Sequence, residues 1–224
     1  MEGLLSAVAY VKIFVAMMVI VNPVGIMPVF VAMTLHQSDA HRREIARIAA
    51  ITVAATLLVA TVFGEKVLEV FGISMAAFKV GGAILILLNA VAMMQAMPAR
   101  DKQTPEEARE AEAKDGASIA VVPLGLPLLA GPGAMSTVLI YASEKKAFVH
   151  VAAVCVVVLA VALATWLAMR VATRIGGRLS TTTLNVATRI MGLLLAALAV
   201  EIFSSGIVEL IPALGKPDVF RYGH

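Results

Sequence analysis

Charge is scarce in this chain. Asp, Glu, Lys and Arg make up 15% of its 224 residues, where a soluble domain carries about a quarter. The charges are also clustered, and the runs between them reach the roughly 18 apolar residues that mark a membrane crossing. An ordinary soluble fold is thereby excluded. The net charge of +3 is small and confined to loops, which argues against nucleic acid as a partner. The single cysteine, Cys155, excludes an intramolecular disulfide and a cysteine metal cluster. His36, His41, His150 and His224 fall in loops or at span ends, so no metal site is expected in the membrane core. HExxH, GxSxG and phosphate-loop signatures are absent, and the spans hold no nucleophile–base pair. Neither an enzyme nor a cofactor is expected. A basic leader with a small-residue cleavage site is also missing, so the first apolar run should be retained.

What remains is 60% hydrophobic, with a mean hydropathy of +0.92. The pattern predicts an all-α integral membrane protein with six spans, near 5–34, 45–63, 74–96, 118–142, 148–169 and 186–210. Lys and Arg are counted in the short loops to orient them. Arg42, Arg43 and Arg47 lie in the 1–2 loop, and Arg100, Lys102, Arg109 and Lys114 in the 3–4 loop. Arg170, Arg174, Arg178 and Arg189 flank the 5–6 connection. They outnumber Lys66, Lys145, Lys146, Lys216 and Arg221 on the other side, which places both termini outside and three loops in the cytoplasm. Lys12 and Lys79 lie inside spans, near the outer face. Trp166 marks an interface position.

The chain divides into a first three-helix unit (1–97), a charged cytoplasmic linker (98–117) and a second three-helix unit (118–224). In the linker, Thr104-Pro105-Glu106-Glu107 fits a capping box opening a short helix to Lys114, and solvation is its simplest role.

Two interruptions occupy equivalent places in the two units. The first is Asn22-Pro23-Val24-Gly25-Ile26-Met27-Pro28; the second is Pro127-Leu128-Leu129-Ala130-Gly131-Pro132-Gly133. Pro removes a backbone donor and Gly loosens the chain, so both runs should bend or unwind within the bilayer. Such backbone is tolerated only where protein buries it or a wet cavity receives it. Pro23 matches Pro132 at an offset of 109, and Lys79 matches Arg189 at 110. An odd number of spans per unit inverts the second, so the sequence predicts a 3+3 inverted repeat with broken first and fourth helices.

A broken helix offers free N–H groups at one half-helix end and free carbonyls at the other, which suits a small zwitterion. Asn22 adds a donor and an acceptor at the first break. Gly131, Gly133, Ser136 and Thr137 allow approach and hydrogen bonding at the second. The plainer alternative is that Pro and Gly only kink packed helices. Asn89, near mid-span, is either a ligand or an interhelical hydrogen-bonding residue. Glu201 is the one acid deep in a span, about 18 Å along the helix from Arg189. It is a candidate proton carrier, unless it reaches the outer headgroups beside Ser204, Ser205 and Gly206. The twelve Met residues are packing filler, and Gly81-Gly82 permits close helix contact.

The strings NPVGIMPVFVAMT (22–34), FKVGGAILILLNAVAMM (78–94), PLGLPLLAGPGAMSTV (123–138) and RIMGLLLAALAV (189–200) resemble the MarC family of bacterial inner-membrane proteins. That resemblance implies a six-helix transporter of the lysine-exporter-like kind, with small neutral amino acids such as alanine and glycine as solutes. By motif it singles out Asn22, Pro23, Gly25, Pro28, Lys79, Gly81, Gly82, Pro127, Gly131, Pro132, Gly133, Ser136 and Thr137. The partners expected are therefore the lipid bilayer, a small neutral solute and protons, with homo-oligomerisation left open. Rival readings are a carrier of another small polar metabolite, a channel, or a membrane scaffold without transport.

Overall fold

The computed structural model describes residues 5–34, 37–95, 129–175 and 181–212. Among these the secondary structure is entirely helical. Four helices are long and apolar enough to cross a membrane, with spans at Asp39–Val70, Met75–Met94, Phe148–Arg174 and Asn185–Leu210. Two shorter apolar helices, Ala7–Val21 and Pro132–Ala142, accompany them.

Helix α1 (Ala7–Val21) starts on Ser6, whose hydroxyl accepts the N–H of Ala9. It ends at Asn22, and α2 (Met27–Met33) follows after a turn. The expected break in the first span is therefore present. Helix α3 (Asp39–Val70) is longer than the apolar run predicts, beginning at Asp39 rather than 45 and reaching Val70 rather than 63. Caps rather than hydropathy set its ends. Ser38 accepts from the His41 N–H, and at the far end Gly72 takes φ +67° while Gly72 and Ile73 donate to Glu69 and Leu68. Those two bonds form a Schellman motif, and the left-handed position favours glycine. Ser74 caps α4 (Met75–Met94).

After the linker, which lies outside the described residues, come α5 (Pro132–Ala142), α6 (Phe148–Ile175) and α7 (Thr181–Leu210). Only the second half of the expected fourth span is described. It starts on Gly131 with Pro132 at the first helical position, where a missing N–H costs nothing. Pro127, the linker capping box, His36, His224 and the six-span count also fall outside the described residues.

Helices α3 and α6 pack together, and α4 packs along α7. The α4–α7 crossing is antiparallel. A methyl group on Gly192 would stand 3.0 Å from the Ala90 carbonyl oxygen, and one on Gly206 would stand 3.1 Å from that of Ala76. Small residues let these backbones approach as they do in membrane bundles generally. Helix α5 sits inside the group, touching α1, α3, α4 and α6. Its side chains from Ser136 to Ile140 are all buried. Val138 and Ile140 join Met17, Phe30, Leu57, Ile86 and Leu195 in one continuous apolar core. Val59, Leu88, Leu163 and Leu193 point outward instead, each more than half exposed. Apolar side chains on both the inside and the outside suit a bundle whose solvent is hydrocarbon.

Candidate functional site

A cavity of about 600 Å³ opens at one end of the bundle, between α1, α4, α5 and α7. The start of α1, the start of α4 and the ends of α5 and α7 converge there. Each contributes a charged or polar group: Lys12, Lys79, Tyr141 with Glu144 just beyond it, and Glu201 with Ser205. Apolar Ile13, Ala16, Ile140 and Leu198 form the walls between them. Both charge signs are thus held in one recess whose walls are otherwise hydrocarbon.

Lys79 is paired with Glu209, one helix over, and its side chain is only 15% exposed. Lys12 and Glu201 are exposed into the recess. Glu201 lies within the α7 span, about 14 Å before its end at Leu210. Glu144 sits in the connection between α5 and α6. Burial raises its carboxyl above the ordinary 4.5, while His150 and Lys79 pull it back down. The floor is closed. One turn deeper than Ala16, Ile140 and Leu198 lie Ile20, Thr137 and Leu195, with exposures of 5%, 0% and 0%.

Beside the cavity is a group that the sequence reading passed over. His150, in the first turn of α6, is fully buried. Its Nε2 stands 2.8 Å from the Tyr141 carbonyl oxygen, and its Nδ1 2.9 Å from the Tyr10 hydroxyl. A carbonyl only accepts, so Nε2 donates; in the neutral ring Tyr10 then donates to Nδ1. Tyr10 also accepts from the Leu5 N–H at 3.4 Å. The chain of bonds ties α1, α5 and α6 together at the rim. A lone histidine near a span end gave no sign of this, because its partner lies 140 positions away.

The substrate-binding candidates lie deeper than this cavity, and none of them lines it. At the first break Asn22 adopts φ +48° and ψ +60°, left-handed backbone that Asn tolerates better than most residues. Its Oδ1 accepts the Gly25 N–H at 3.0 Å. Ile26 donates to the Asn22 carbonyl, and Met27 to that of Val24. The donors assigned to a substrate are thus taken up within the turn in this conformation. A methyl group at position 25 would meet Asn22 Nδ2 at 2.1 Å, so the Asn22 side chain would have to turn away and give up its bond. Pro23 is buried and Pro28 half-buried.

At the second break Gly131 has φ −69° and ψ 175°, extended backbone open to any residue, and Pro132 is exposed. Gly133 faces Ile86 of α4 at ordinary contact distance. Ser136 packs against Gly82, and Thr137 donates its hydroxyl to the Gly133 carbonyl at 2.8 Å. Asn89 is half-buried on α4. The structure therefore gathers Gly133, Ser136 and Thr137 on the inner face of α5 and keeps Asn22 within its own turn. Of the charged residues that the sequence places within spans, Lys12, Lys79 and Glu201 reach the cavity. Among the described residues no group of acidic, histidine or cysteine side chains could hold a metal ion.

The sequence profile of MarC family integral membrane proteins matches residues 7–211. The chain belongs to the MarC family. Its MarC relatives include the UPF0056 membrane protein YhcE of Escherichia coli strain K12, 38% identical over 92% of this chain and 94% of the relative. The UPF0056 membrane protein YvbG of Bacillus subtilis strain 168 is 34% identical over 91% and 96%. The UPF0056 membrane protein MJ0972 of Methanocaldococcus jannaschii is 33% identical over 90% and 87%. The family match runs through both helix breaks and the cavity. No solved structure matches the chain.

Proposed function

We propose that this MarC family protein is a secondary transporter that carries a small polar solute across the membrane by alternating access. One observation carries the reading: the cavity of about 600 Å³, open at one face, closed one turn below, and lined by Lys12, Lys79, Glu144 and Glu201. Unpaired charge within a span is costly and marks solute or ion paths by default. Lys79 already has Glu209, which leaves Lys12 to meet a carboxylate and Glu201 or Glu144 to meet an ammonium. The solute class is therefore a small neutral amino acid such as alanine or glycine. The closed floor favours a carrier over an open channel.

The buried stretch below the cavity leads to Asn22 on α1 and to Ser136 and Thr137 on α5. A second conformation would open these breaks to the solute and release the bonds within the Asn22 turn. Glu201 is the proton-coupling group of this reading. The antiparallel pairing of α4 with α7 supports a 3+3 inverted repeat, since these are the third spans of the two units. The cavity face is periplasmic and the Arg43–Arg47 face cytoplasmic, in a bacterial inner membrane.

Counterflow of labelled alanine into proteoliposomes tests the proposal, with unlabelled amino acids as competitors. Saturable uptake, competed by small neutral amino acids and losing its response to a pH gradient in Glu201→Gln, is the expected result. Folded protein that carries none of the panel would refute the amino-acid assignment. Unchanged pH-driven uptake in Glu201→Gln would remove that residue from the mechanism.

A further inference from the structure

At the opposite end of the bundle a second recess lies between α3 and α6. Its polar part, about 300 Å³, is walled by Arg43, Arg47, Arg170 and Trp166, with Glu44 as its one acid. It continues into an apolar groove of about 210 Å³ over Ala50, Ala54 and Ala162. Arg47 and Trp166 border both parts.

Three arginines against one acid leave this recess with excess positive charge. Among the described residues Arg43, Arg47 and Arg170 form no ion pair, and Glu44 lies 3.9 Å from His41. The Arg170 guanidinium stands 5.2 Å from the centre of the Trp166 ring, a cation–π contact that steadies it while leaving its N–H donors available. Trp side chains settle at the headgroup level of a bilayer, which gives the recess its depth. The apolar part faces hydrocarbon: Ile51 and Leu163 on its edge are 57% and 55% exposed. Alanines at 50, 54 and 162 leave a furrow where larger side chains would fill the surface. From Arg47 to Ala54 the furrow runs about 10 Å along α3.

We propose that this recess binds an anionic phospholipid, with its phosphodiester between Arg47 and Arg170 and one acyl chain along Ala50, Ala54 and Ala162. A soluble anion would use the arginines and leave the furrow empty. A zwitterionic lipid would use the furrow and add its own cation to three arginines. An anionic lipid satisfies both parts, and basic pockets between membrane helices recognise such headgroups. The site is independent of the solute cavity, because the two share no residue.

The test is native mass spectrometry of the full chain in detergent, titrated with phosphatidylglycerol or phosphatidylcholine of matched acyl chains. Wild type should bind phosphatidylglycerol at least about fivefold more tightly. Arg47→Gln and Arg170→Gln should each weaken it about fivefold, equivalent to about 1 kcal/mol per charge near the membrane surface. Phosphatidylcholine binding should be unchanged in both. Ala54→Phe, which fills the furrow and keeps every charge, should weaken phosphatidylglycerol as well. Thermal unfolding checks each variant, and Arg43→Gln, at an exposed position, replaces any that fails to fold. Equal affinity for the two lipids, or an undiminished preference in the arginine variants, would overturn the proposal. Displacement of the lipid by glycerol phosphate at equal concentration would also overturn it, assigning the recess to a soluble phosphate.

Discussion

Tyr10 and His150 meet across 140 positions of sequence, with the phenolic oxygen 2.9 Å from Nδ1. This bond locks the first turns of α1 to those of α6 at the rim of the cavity. Tyr10→Phe leaves a fully buried ring nitrogen without its donor, at a cost of about 1–3 kcal/mol. Thermal unfolding in detergent should show the loss, and His150→Phe should cost at least as much, since it also removes the bond to the Tyr141 carbonyl. An unaltered midpoint in both variants would mean that the rim is held by packing alone.

The turn at Asn22 makes a graded series. Asn22→Ala keeps the β-carbon that Asn already holds in left-handed backbone and deletes the bond to Gly25 that helps Asn tolerate it, at about 1 kcal/mol. Asn22→Gly loses the same bond but also removes the β-carbon from left-handed backbone. Ala should therefore be the least stable of the three, as read by denaturation midpoints. Gly25→Ala should be at least as harmful as Asn22→Gly, because its methyl group displaces the Asn22 amide.

Glycines on α4 and α7 should separate by what they face. A methyl group on Gly192 would crowd the Ala90 carbonyl and Met93, and one on Gly206 would crowd Lys79, Val80 and the Ala76 carbonyl. Gly192→Ala and Gly206→Ala should destabilise by about 1–3 kcal/mol through overpacking. Gly81 meets nothing within 4 Å, so Gly81→Ala should be neutral or gain up to about 1 kcal/mol of helix propensity. Comparing the three melting curves tests whether the α4–α7 seam depends on backbone approach.

Glu144 gives a pH signature. Burial holds its folded-state pKa above the ordinary value, so the folded protein retains its proton more readily than the unfolded chain does. The group is least unfavourable to folding below its ordinary pKa, and stability is lost as pH rises through the raised value. Glu144→Gln should therefore match wild type at about pH 4 and become the more stable of the two by about pH 7. The pH dependence of the midpoint difference is the measurement. A gain that appears on acidification instead would show that the nearby positive charge of Lys79 outweighs burial.

Much of the architecture was legible because a bilayer imposes simple demands. The apolar run at 74–96 became α4 nearly end for end, the run at 186–210 gave the end of α7 but not its start at Thr181, and Asn22 to Pro28 was visible as a break because Pro and Gly punctuate so strongly. The true length of α3 was not visible. Its ends are set by Ser38 and Gly72, and the turns just inside them carry Asp39, Arg42, Arg43 and Glu44 at one end and Glu65, Lys66 and Glu69 at the other, where the apolar run stops early. Glu201 stood out as an acid among apolar residues, and Lys79 was marked as a charge within a span. Their shared cavity with Lys12 and Glu144 was not foreseeable, since it depends on how four helices splay apart. Asn22 and Thr137 were read as ligands from their places at the two helix breaks. In this structure each bonds to nearby backbone, as short polar side chains do.

The start of α1 and the end of α7 come out on the same side, where Val8 and Ser205 line one cavity. Two copies can therefore be spliced head to tail through a hydrophilic linker, with no extra transmembrane segment to reverse direction. Such a tandem polypeptide allows one copy to carry a lesion while its neighbour stays intact. The functional unit can then be counted genetically, by asking whether a single damaged copy silences its companion.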